Sequence, residues 1–313
     1  MKKFVGLLAL IGLFIGASQA GAITLGIYDT GALVPFVKHD GAQKDTVVGI
    51  TCQAVCSENL SDHDGKTKYH IHWTFYDIDS VHITDGTLIC TDDDLVPFSW
   101  KASSGRNLDN VEGYLVFNAG DNVTIGANAF FVDQGANDVI FVPVVPLNTA
   151  DLGGLAADGG WDPDQVISLT NGIRANRLVD VRYWIDSQYN AATTMIIWLV
   201  DPFCKDSSTP AKCAASAFPI TVNAWNDDEK AKSINILLPH ELNKIIPCEI
   251  PGLPEDFIDG FFTVPMPYDG IAYSYISSNW FGAMQTLLGM ECEVQDHGNP
   301  PQEGCSRCTD VTE

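Results

Sequence analysis

The chain has 313 residues, with 40 acidic against 17 basic side chains and a formal net charge of −23 at pH 7. Such a surface repels phosphate backbones and anionic lipid headgroups, which disfavours nucleic-acid binding and membrane-surface binding. Hydrophobic residues make up 46% of the chain, enough to form a core, which excludes wholesale disorder. The length suits one large domain or two ordinary ones.

The first 22 residues have the pattern of a signal peptide. Lys2 and Lys3 precede an uncharged apolar run from residue 4 to 17, and small residues follow at Ala20 and Ala22. We expect cleavage after Ala20 or Ala22. The alternative, an uncleaved membrane anchor, is disfavoured because the run is shorter than the roughly 20 residues that span a bilayer. The mature chain is therefore expected outside the cytoplasm (secreted, cell-surface or periplasmic) and not inserted in a membrane.

Nine cysteines are disulfide candidates, because exported proteins meet an oxidising environment. They are Cys52, Cys56, Cys90, Cys204, Cys213, Cys248, Cys292, Cys305 and Cys308. The most favoured bridge joins Cys204 to Cys213, which bracket a polar loop. An odd number leaves at least one thiol free or paired with another molecule. The C-x-x-C at Cys305 and Cys308 lies in a polar tail, which disfavours a redox role.

The pattern of apolar residues predicts strands almost throughout. In residues 70–76, Ile71, Trp73 and Phe75 alternate with polar or histidine side chains, so they share one face of a strand. Runs of β-branched and aromatic residues recur, separated by Asp-Gly turns such as Asp85-Gly86. Two short segments, 238–246 and 280–288, are helical candidates. The fold class expected is all-β, with two tandem antiparallel β-sandwich domains.

The sequence also indicates an internal repeat. Four pairs of short segments match in the same order at offsets of 145 to 148: 111–114 with 258–261, 94–95 with 241–242, 46–48 with 194–196, and 33–34 with 178–179. Matches in order at nearly one offset favour duplication. The expected organisation is a signal peptide at 1–22, sandwiches at 23–151 and 166–294, a glycine-containing linker at 152–165, and a cysteine-containing tail at 295–313.

Three segments carry a resemblance to other proteins. They are Val48-Gly49-Ile50, His72-Trp73-Thr74-Phe75 with Asp79-Ser80, and Gly113-Tyr114-Leu115-Val116. In these core patterns the chain resembles a loose group of exported tandem β-domain proteins of metal-reducing and related bacteria. The resemblance implies an exported tandem β architecture and supplies no catalytic motif.

Three histidines form one candidate metal site. His70 and His72 are two residues apart on a predicted strand, and His82 follows the next turn. If the two strands form a hairpin, all three imidazoles lie on one outward face, as a zinc or copper site needs. The alternative is three ordinary surface histidines.

Acidic turns beside glycine form a second candidate, for calcium. Asp62 and Asp64 precede Gly65, and Asp158, Asp162 and Asp164 flank Gly159-Gly160. Carboxylates at alternate positions near glycine can converge on one hard cation, although neither segment matches a full EF-hand loop. The alternative is a pair of solvated acidic turns. Calcium is the better supported of the two metal predictions.

Two aromatic groups admit two interpretations. Tyr183, Trp184 and Trp198 form one group, and Tyr273, Tyr275, Trp280 and Phe281 form the other. Aromatic side chains on strands usually face a core, and the alternative is contact with a sugar or a protein.

No nucleophile motif such as G-x-S-x-G occurs in the chain. The function expected is that of a secreted or cell-surface structural or binding protein without a catalytic centre, with an unknown extracellular partner. The alternative is an extracellular carbohydrate-active or other hydrolase that uses paired carboxylates, since glycoside hydrolysis needs only two of them at the right separation.

Overall fold

A computed structural model of the protein describes residues 28–54, 68–105, 107–119, 123–148, 168–169, 173, 175–200, 218–278 and 282–285. The regular secondary structure of these residues is almost entirely β-strand, and every strand pair is antiparallel, which confirms the all-β class. The strands are β1 Gly31–Val37, β2 Lys44–Ala54, β3 Lys68–Asp77, β4 His82–Thr91, β5 Leu95–Ser99, β6 Gly113–Asn118, β7 Val123–Asp133, β8 Asp138–Val142, β9 Val145–Asn148, β10 Ser168–Leu169, β11 Leu178–Trp184, β12 Ala192–Leu199, β13 Phe218–Asn226, β14 Ala231–Leu238, β15 Leu242–Ile245, β16 Asp259–Pro265, β17 Gly270–Ser277 and β18 Gly282–Gln285.

Helical structure among these residues is short. A four-residue helix, α1, covers Trp100–Ser103, and two 3₁₀ turns cover Ser187–Tyr189 and Pro247–Glu249. The Ser99 side chain caps α1 by accepting a hydrogen bond from the backbone N–H of Ala102 at 3.1 Å. No helix in the described part of the chain is long and apolar enough to cross a membrane.

The strands form four sheets. Their orders are β5-β2-β7-β8, β10-β9-β1-β6-β3-β4, β15-β12-β17-β18 and β11-β16-β13-β14. The first two sheets enclose one apolar core and the last two enclose another. Each half of the chain therefore folds as a two-sheet sandwich, and we call these sandwich 1 and sandwich 2.

The two sandwiches repeat one strand order. In sandwich 1, β1-β6-β3-β4 faces β5-β2-β7-β8; in sandwich 2, β11-β16-β13-β14 faces β15-β12-β17-β18. Adding ten to each strand number in the first pair of sheets gives the second pair. The shared strand order expected from the sequence is confirmed, and β9 and β10 are additions to sandwich 1.

Equivalent glycines sit at the same position of the repeat. Gly113 in β6 pairs with Val37 and Asp77, and Gly260 in β16 pairs with Tyr183 and Asn226. A Cβ on Gly113 would lie 1.9 Å from the carbonyl oxygen of Tyr76, and one on Gly260 would lie 1.8 Å from that of Trp225. Both strands approach so closely that only glycine fits.

The turns after β3 and β13 are also equivalent. The side chain of Asp77 accepts from the N–H of Val81 at 2.9 Å, and that of Asn226 accepts from the N–H of Lys230 at 2.8 Å. Ser80 has φ 60° and Glu229 has φ 62°. Both turns therefore have a left-handed backbone conformation at the same position.

Strand pairing and hydrogen bonds show which residues of the two sandwiches are equivalent. Two of the four segment pairs matched in the sequence agree with this equivalence, and two do not. The pairs containing Gly113 and Leu95 hold at offset 147. Thr46 corresponds to Thr193 rather than 194, because each hydroxyl makes the same backbone bonds. Val34 corresponds to Val181 rather than 179, since each faces the equivalent residue of β6 or β16. The slips are one and two residues.

Other expectations need correction. The helical candidates at 238–246 and 280–288 contain strands β15 and β18 instead, because each segment completes a ladder with β12 or β17. The second domain was expected to begin at 166, yet β10 at 168–169 pairs with β9 and extends a sheet of sandwich 1. The signal peptide, the linker 152–165 and the tail 295–313 lie outside the described residues.

Candidate interaction surfaces

The two sandwiches pack against each other through a third apolar cluster. Sheet β10-β9-β1-β6-β3-β4 meets sheet β15-β12-β17-β18, and the side chains between them are buried. Tyr76 and Tyr114 stack with ring centroids 4.9 Å apart, and Trp198 meets Tyr114 edge-on at 5.9 Å. The cluster also contains Leu33, Phe36, Val116, Val145, Leu147, Ile196, Leu242, Ile271 and Tyr273. The four sheets therefore form one stack. Along one edge β18 also contacts β8 of sandwich 1, where the N–H of Gly282 donates to Asp138 Oδ2 at 2.6 Å.

Polar contacts border this interface. The Tyr114 hydroxyl donates to the Glu241 carboxylate at 2.5 Å, and burial beside this anion raises the pKa of Tyr114 well above its ordinary value. His240 Nε2 lies 3.4 Å from Asp79 Oδ1, and the N–H of Leu242 donates to Ser80 Oγ at 3.3 Å. The turn after β3 is thus bonded to the start of β15. These contacts help to fix the position of one sandwich relative to the other.

A basic cluster lies at another edge of the interface. Glu112 of sandwich 1 forms ion pairs with Lys38 and with Lys244 of sandwich 2. The Lys38 ammonium also lies 5.1 Å from the Phe131 ring centroid and 5.0 Å from that of Tyr275. Desolvation by burial lowers the pKa of Lys38, although Glu112 opposes the shift. The ammonium is held by aromatic faces as well as by a carboxylate.

The sandwiches pack front to back. Sandwich 1 contributes the sheet that contains β1, β6, β3 and β4. Sandwich 2 contributes β15-β12-β17-β18, which corresponds to the other sheet, β5-β2-β7-β8, of sandwich 1. The contact is therefore heterologous, since two different surfaces of the repeat meet. One sheet of each type is left on the outside of the stack.

The outward side of β5-β2-β7-β8, the front face, carries exposed apolar side chains. Leu95 is 65% exposed, Val139 60% and Phe130 38%. Phe130 contacts Phe141 edge-on at 5.8 Å, and Leu95 lies over Gly49. Leu95 corresponds to Leu242, which is fully buried between the sandwiches. The front face thus repeats an interface position in an exposed form.

The outward side of β11-β16-β13-β14, the back face, carries an exposed aromatic pair. Trp225 and Phe261 are directly opposed on neighbouring strands and are 38% and 36% exposed. They correspond to the buried pair Tyr76 and Tyr114. The Arg182 guanidinium lies 5.6 Å from the Phe261 ring centroid and bonds both oxygens of Asp259 at 2.7 and 2.8 Å. The Arg182 guanidinium beside this aromatic pair is therefore already neutralised by Asp259.

The three predicted metal-binding histidines lie on one hairpin, as expected, but they do not meet. His72 pairs with Thr87 across β3 and β4, whereas His82 lies five residues away from Thr87 along β4. At about 3.3 Å per residue this separates the imidazoles too far for one ion. His72 instead contacts the Thr87 hydroxyl at 3.4 Å, and burial lowers its pKa. No group of three or more metal-ligating side chains occurs among the described residues.

The acidic turns proposed for calcium lie outside the described residues. They comprise Asp62, Asp64, Asp158, Asp162 and Asp164. The calcium site stays a prediction from the sequence.

One disulfide joins the sheets of sandwich 1. Cys52 of β2 bonds Cys90 of β4, with the Cα atoms 6.5 Å apart. Cys248 is exposed and makes no disulfide with a described residue. The favoured pair Cys204–Cys213, together with Cys56, Cys292, Cys305 and Cys308, lies outside the described part of the chain.

The aromatic groups singled out in the sequence belong mainly to the cores. Tyr183, Trp198 and Tyr273 are buried, which confirms the core interpretation for them. Trp184 is half-buried and Tyr275 packs against the core of sandwich 1. Trp280 and Phe281 lie outside the described residues. The exposed pair Trp225 and Phe261 was missed, although period-two alternation in β13 and β16 places both on the side opposite their core residues.

A Ser–His–Asp grouping also escaped the sequence reasoning. His39 Nε2 lies 2.9 Å from Ser104 Oγ, and His39 Nδ1 lies 3.6 Å from Asp109 Oδ1. The N–H of Gly41 donates to Nδ1 at 3.1 Å, so Nδ1 is an acceptor and Nε2 carries the proton. In that tautomer the imidazole donates to the hydroxyl instead of receiving its proton. His39 and Ser104 are 2% and 4% exposed, so the contact between these two side chains is buried.

Comparison with known proteins adds no assignment: no family model matches the chain, and neither a curated protein nor a solved structure matches it.

Proposed function

We propose that the protein is an extracytoplasmic structural or binding protein that acts through the outer faces of its sheets and has no catalytic centre. The observation that carries this proposal is that the polar and ionisable side chains at the interface make structural contacts. Tyr114, Glu241, Lys38, Glu112 and Lys244 hold the two sandwiches together. Aromatic groups, meanwhile, are exposed on the outermost sheets.

The disulfide supports the extracytoplasmic part of the proposal. Disulfides persist in oxidising compartments and are rare in the cytosol. Cys52 and Cys90 are both buried in the core of sandwich 1, so their bond is structural rather than a surface redox switch. It is consistent with the signal-peptide pattern at residues 1–22.

The alternative, a hydrolase, has less support. Ser104 is buried and faces an imidazole with the unsuitable tautomer, as described above. The carboxylates of Asp228 and Asp256 lie near each other only through Lys230, whose ammonium is 3.1 and 3.8 Å from them. Such a pair shares one lysine and is more than half exposed, unlike the acid and base of a glycosidase.

Protein recovered from culture fluid or periplasm tests the proposal. Intact mass should show cleavage after Ala20 or Ala22. A fluorophosphonate probe for activated serines should leave the native protein unlabelled, and oligosaccharide and ester substrates should remain intact. Labelling or turnover that disappears in Ser104→Ala, or turnover that disappears in Asp228→Asn/Asp256→Asn, would establish the hydrolase. A mass that retains residues 1–20 would remove the export argument.

A further inference from the structure

We propose that the chain assembles head to tail with further copies of itself, the front face of one molecule docking on the back face of the next. The inference rests on the proposed structural function and extends it. Its basis is the contact between sandwich 1 and sandwich 2. That contact joins one back-type face, from sandwich 1, to one front-type face, from sandwich 2, and the second face of each type remains free.

The geometry of the repeat leaves both faces available. A heterologous contact does not use up its own surfaces, because each added unit presents the same pair of faces again. The front and back faces belong to the two sheets that take no part in the internal apolar cluster. A second copy of the chain presents both faces again, so the front face of one molecule can meet the back face of the next.

The exposed side chains occupy the positions that make the internal contact. Leu95 on the front face corresponds to buried Leu242, and Trp225 and Phe261 on the back face correspond to buried Tyr76 and Tyr114. Single exposed apolar residues are normal on a protein surface. Here, however, they occur on both free sheets at positions equivalent to those of the internal interface, which favours a second interface.

Side-chain size distinguishes the free pair of faces from the internal contact. Trp198 and Tyr273, which fill the internal contact on the sandwich 2 side, correspond to Thr51 and Asn128 on the front face. The back face carries Trp225 where sandwich 1 carries Tyr76. The front face is therefore less filled than its internal counterpart, so we expect the contact between copies to be weaker than the contact within the chain.

Charge gives the assembly a predicted salt dependence. On the back face Arg182 is paired with Asp259, and Asp180 accepts a hydrogen bond from the Thr263 hydroxyl at 2.7 Å. The chain as a whole has a formal charge of −23, so two copies repel at a distance. Salt shortens the Debye length from about 10 Å at 0.1 M to about 3 Å at 1 M. Association should therefore strengthen as salt rises.

Two blocked variants test the inference. Leu95→Asp/Val139→Asp blocks the front face, and Trp225→Asp/Phe261→Asp blocks the back face. Ile89→Asp, at an exposed apolar position of β4 outside both faces, is the control. Sedimentation velocity on oxidised protein, with its predicted signal peptide removed, gives the size distribution at low and high salt.

The wild type and the Ile89→Asp control should form species larger than dimers as concentration and salt rise. Each blocked variant alone should stay monomeric. An equimolar mixture of the two should form dimers only, because one intact front face and one intact back face remain. Dimer formation in the mixture also shows that both variants are folded.

Three results would overturn the assembly. A wild type that is monomeric at high salt would do so, since the faces would then be unused or covered by the chain itself. A single blocked variant that still dimerises would show a face docking on its own kind. A mixture that remains monomeric, with both variants folded by circular dichroism, would show that the faces do not fit. None of these results bears on catalysis. The proposed function is therefore tested separately, by the labelling and turnover assays.

Discussion

At the scale of single residues, Tyr275 links burial to a pH response. Burial raises its pKa from 10.0 to about 12, with Asp133 and Asp138 adding to the shift. The neutral phenol is therefore favoured in the folded state. Its contribution to stability is fully present below about pH 10, where the unfolded tyrosine ionises, and is lost as the pH rises through about 12.

We expect Tyr275→Phe to reduce the loss of unfolding free energy between pH 10 and pH 12. Urea unfolding at a series of pH values measures this slope, and the stability at pH 7 serves as the internal reference. The buried Tyr114 and Tyr273, whose pKa values are also raised, will keep part of the slope. An unchanged slope in the variant would contradict the assigned environment of Tyr275.

The equivalent glycines Gly113 and Gly260 should tolerate no larger residue. Because a Cβ at either position would meet a carbonyl oxygen at less than 2 Å, Gly113→Ala and Gly260→Ala should each lower the free energy of unfolding by about 1–3 kcal/mol or more. Gly49→Ala is the matched control, since its Cβ would meet only Leu95 at 3.5 Å. Equal stability of all three variants would show that the two strands are not so close.

At the scale of strands, one threonine in each sandwich ties the two sheets together. Thr46 of β2 both accepts from the N–H and donates to the carbonyl of Lys38, each at 3.0 Å. Thr193 of β12 does the same with Trp184 at 2.8 Å. Both threonines are 1% exposed, so their partners have no water to replace them.

Thr46→Val and Thr193→Val keep the shape and remove both bonds. Each should cost about 1–3 kcal/mol, because a buried N–H and a buried carbonyl lose their partner. Serine variants, which retain the hydroxyl, should cost less in both sandwiches when unfolding is followed by tryptophan fluorescence. A valine variant as stable as wild type would rule out the tie at that position.

The disulfide provides a second tie, present in sandwich 1 alone. Cys52 and Cys90 are separated by 38 residues, and a bridge of this kind contributes about 2–4 kcal/mol. Leu199 stands at the position of Cys52 in sandwich 2. Cys52→Ala/Cys90→Ala should therefore lower the melting temperature by several degrees, with Cys248→Ala as the control. Equal melting of both variants would exclude a structural role for the bond.

Alternation in strands such as β3 and β14 made the all-β class predictable, because one face of each meets a core. The shared strand order was also predictable from the matches around Gly113 and Leu95. Register failed where local similarity was ambiguous: Thr46 of β2 can be matched with either of the consecutive threonines Thr193 and Thr194 of β12. In β1 a bulge between Val34 and Val37 shifts the ladder.

The site was harder to predict than the fold. The contact between sandwiches joins residues more than 100 positions apart, such as Tyr114 and Glu241, and no local pattern reports it. The segments 238–246 and 280–288 have mixed local preference, and strand pairing with β12 and β17 decided it. The three histidines shared a face as expected, but their spacing along β4 followed from the pairing register.

At the scale of the whole molecule, the account states that two repeated sandwiches form one front-to-back stack. The buried cluster around Tyr76, Tyr114 and Trp198 couples their stabilities, since neither sandwich can unfold without exposing it. The contacts of Glu112 with Lys38 and Lys244 add to this coupling. A contact of this kind makes the pair the cooperative unit.

Differential scanning calorimetry tests this claim most directly. The wild type should show one transition, with calorimetric and van't Hoff enthalpies equal for the whole folded mass. Trp198→Ala, which removes the ring at the centre of the contact at a cost of about 3–5 kcal/mol, should lower the transition temperature and separate it into two. Two transitions in the wild type, each with about half of the enthalpy and unchanged by Trp198→Ala, would contradict the stack.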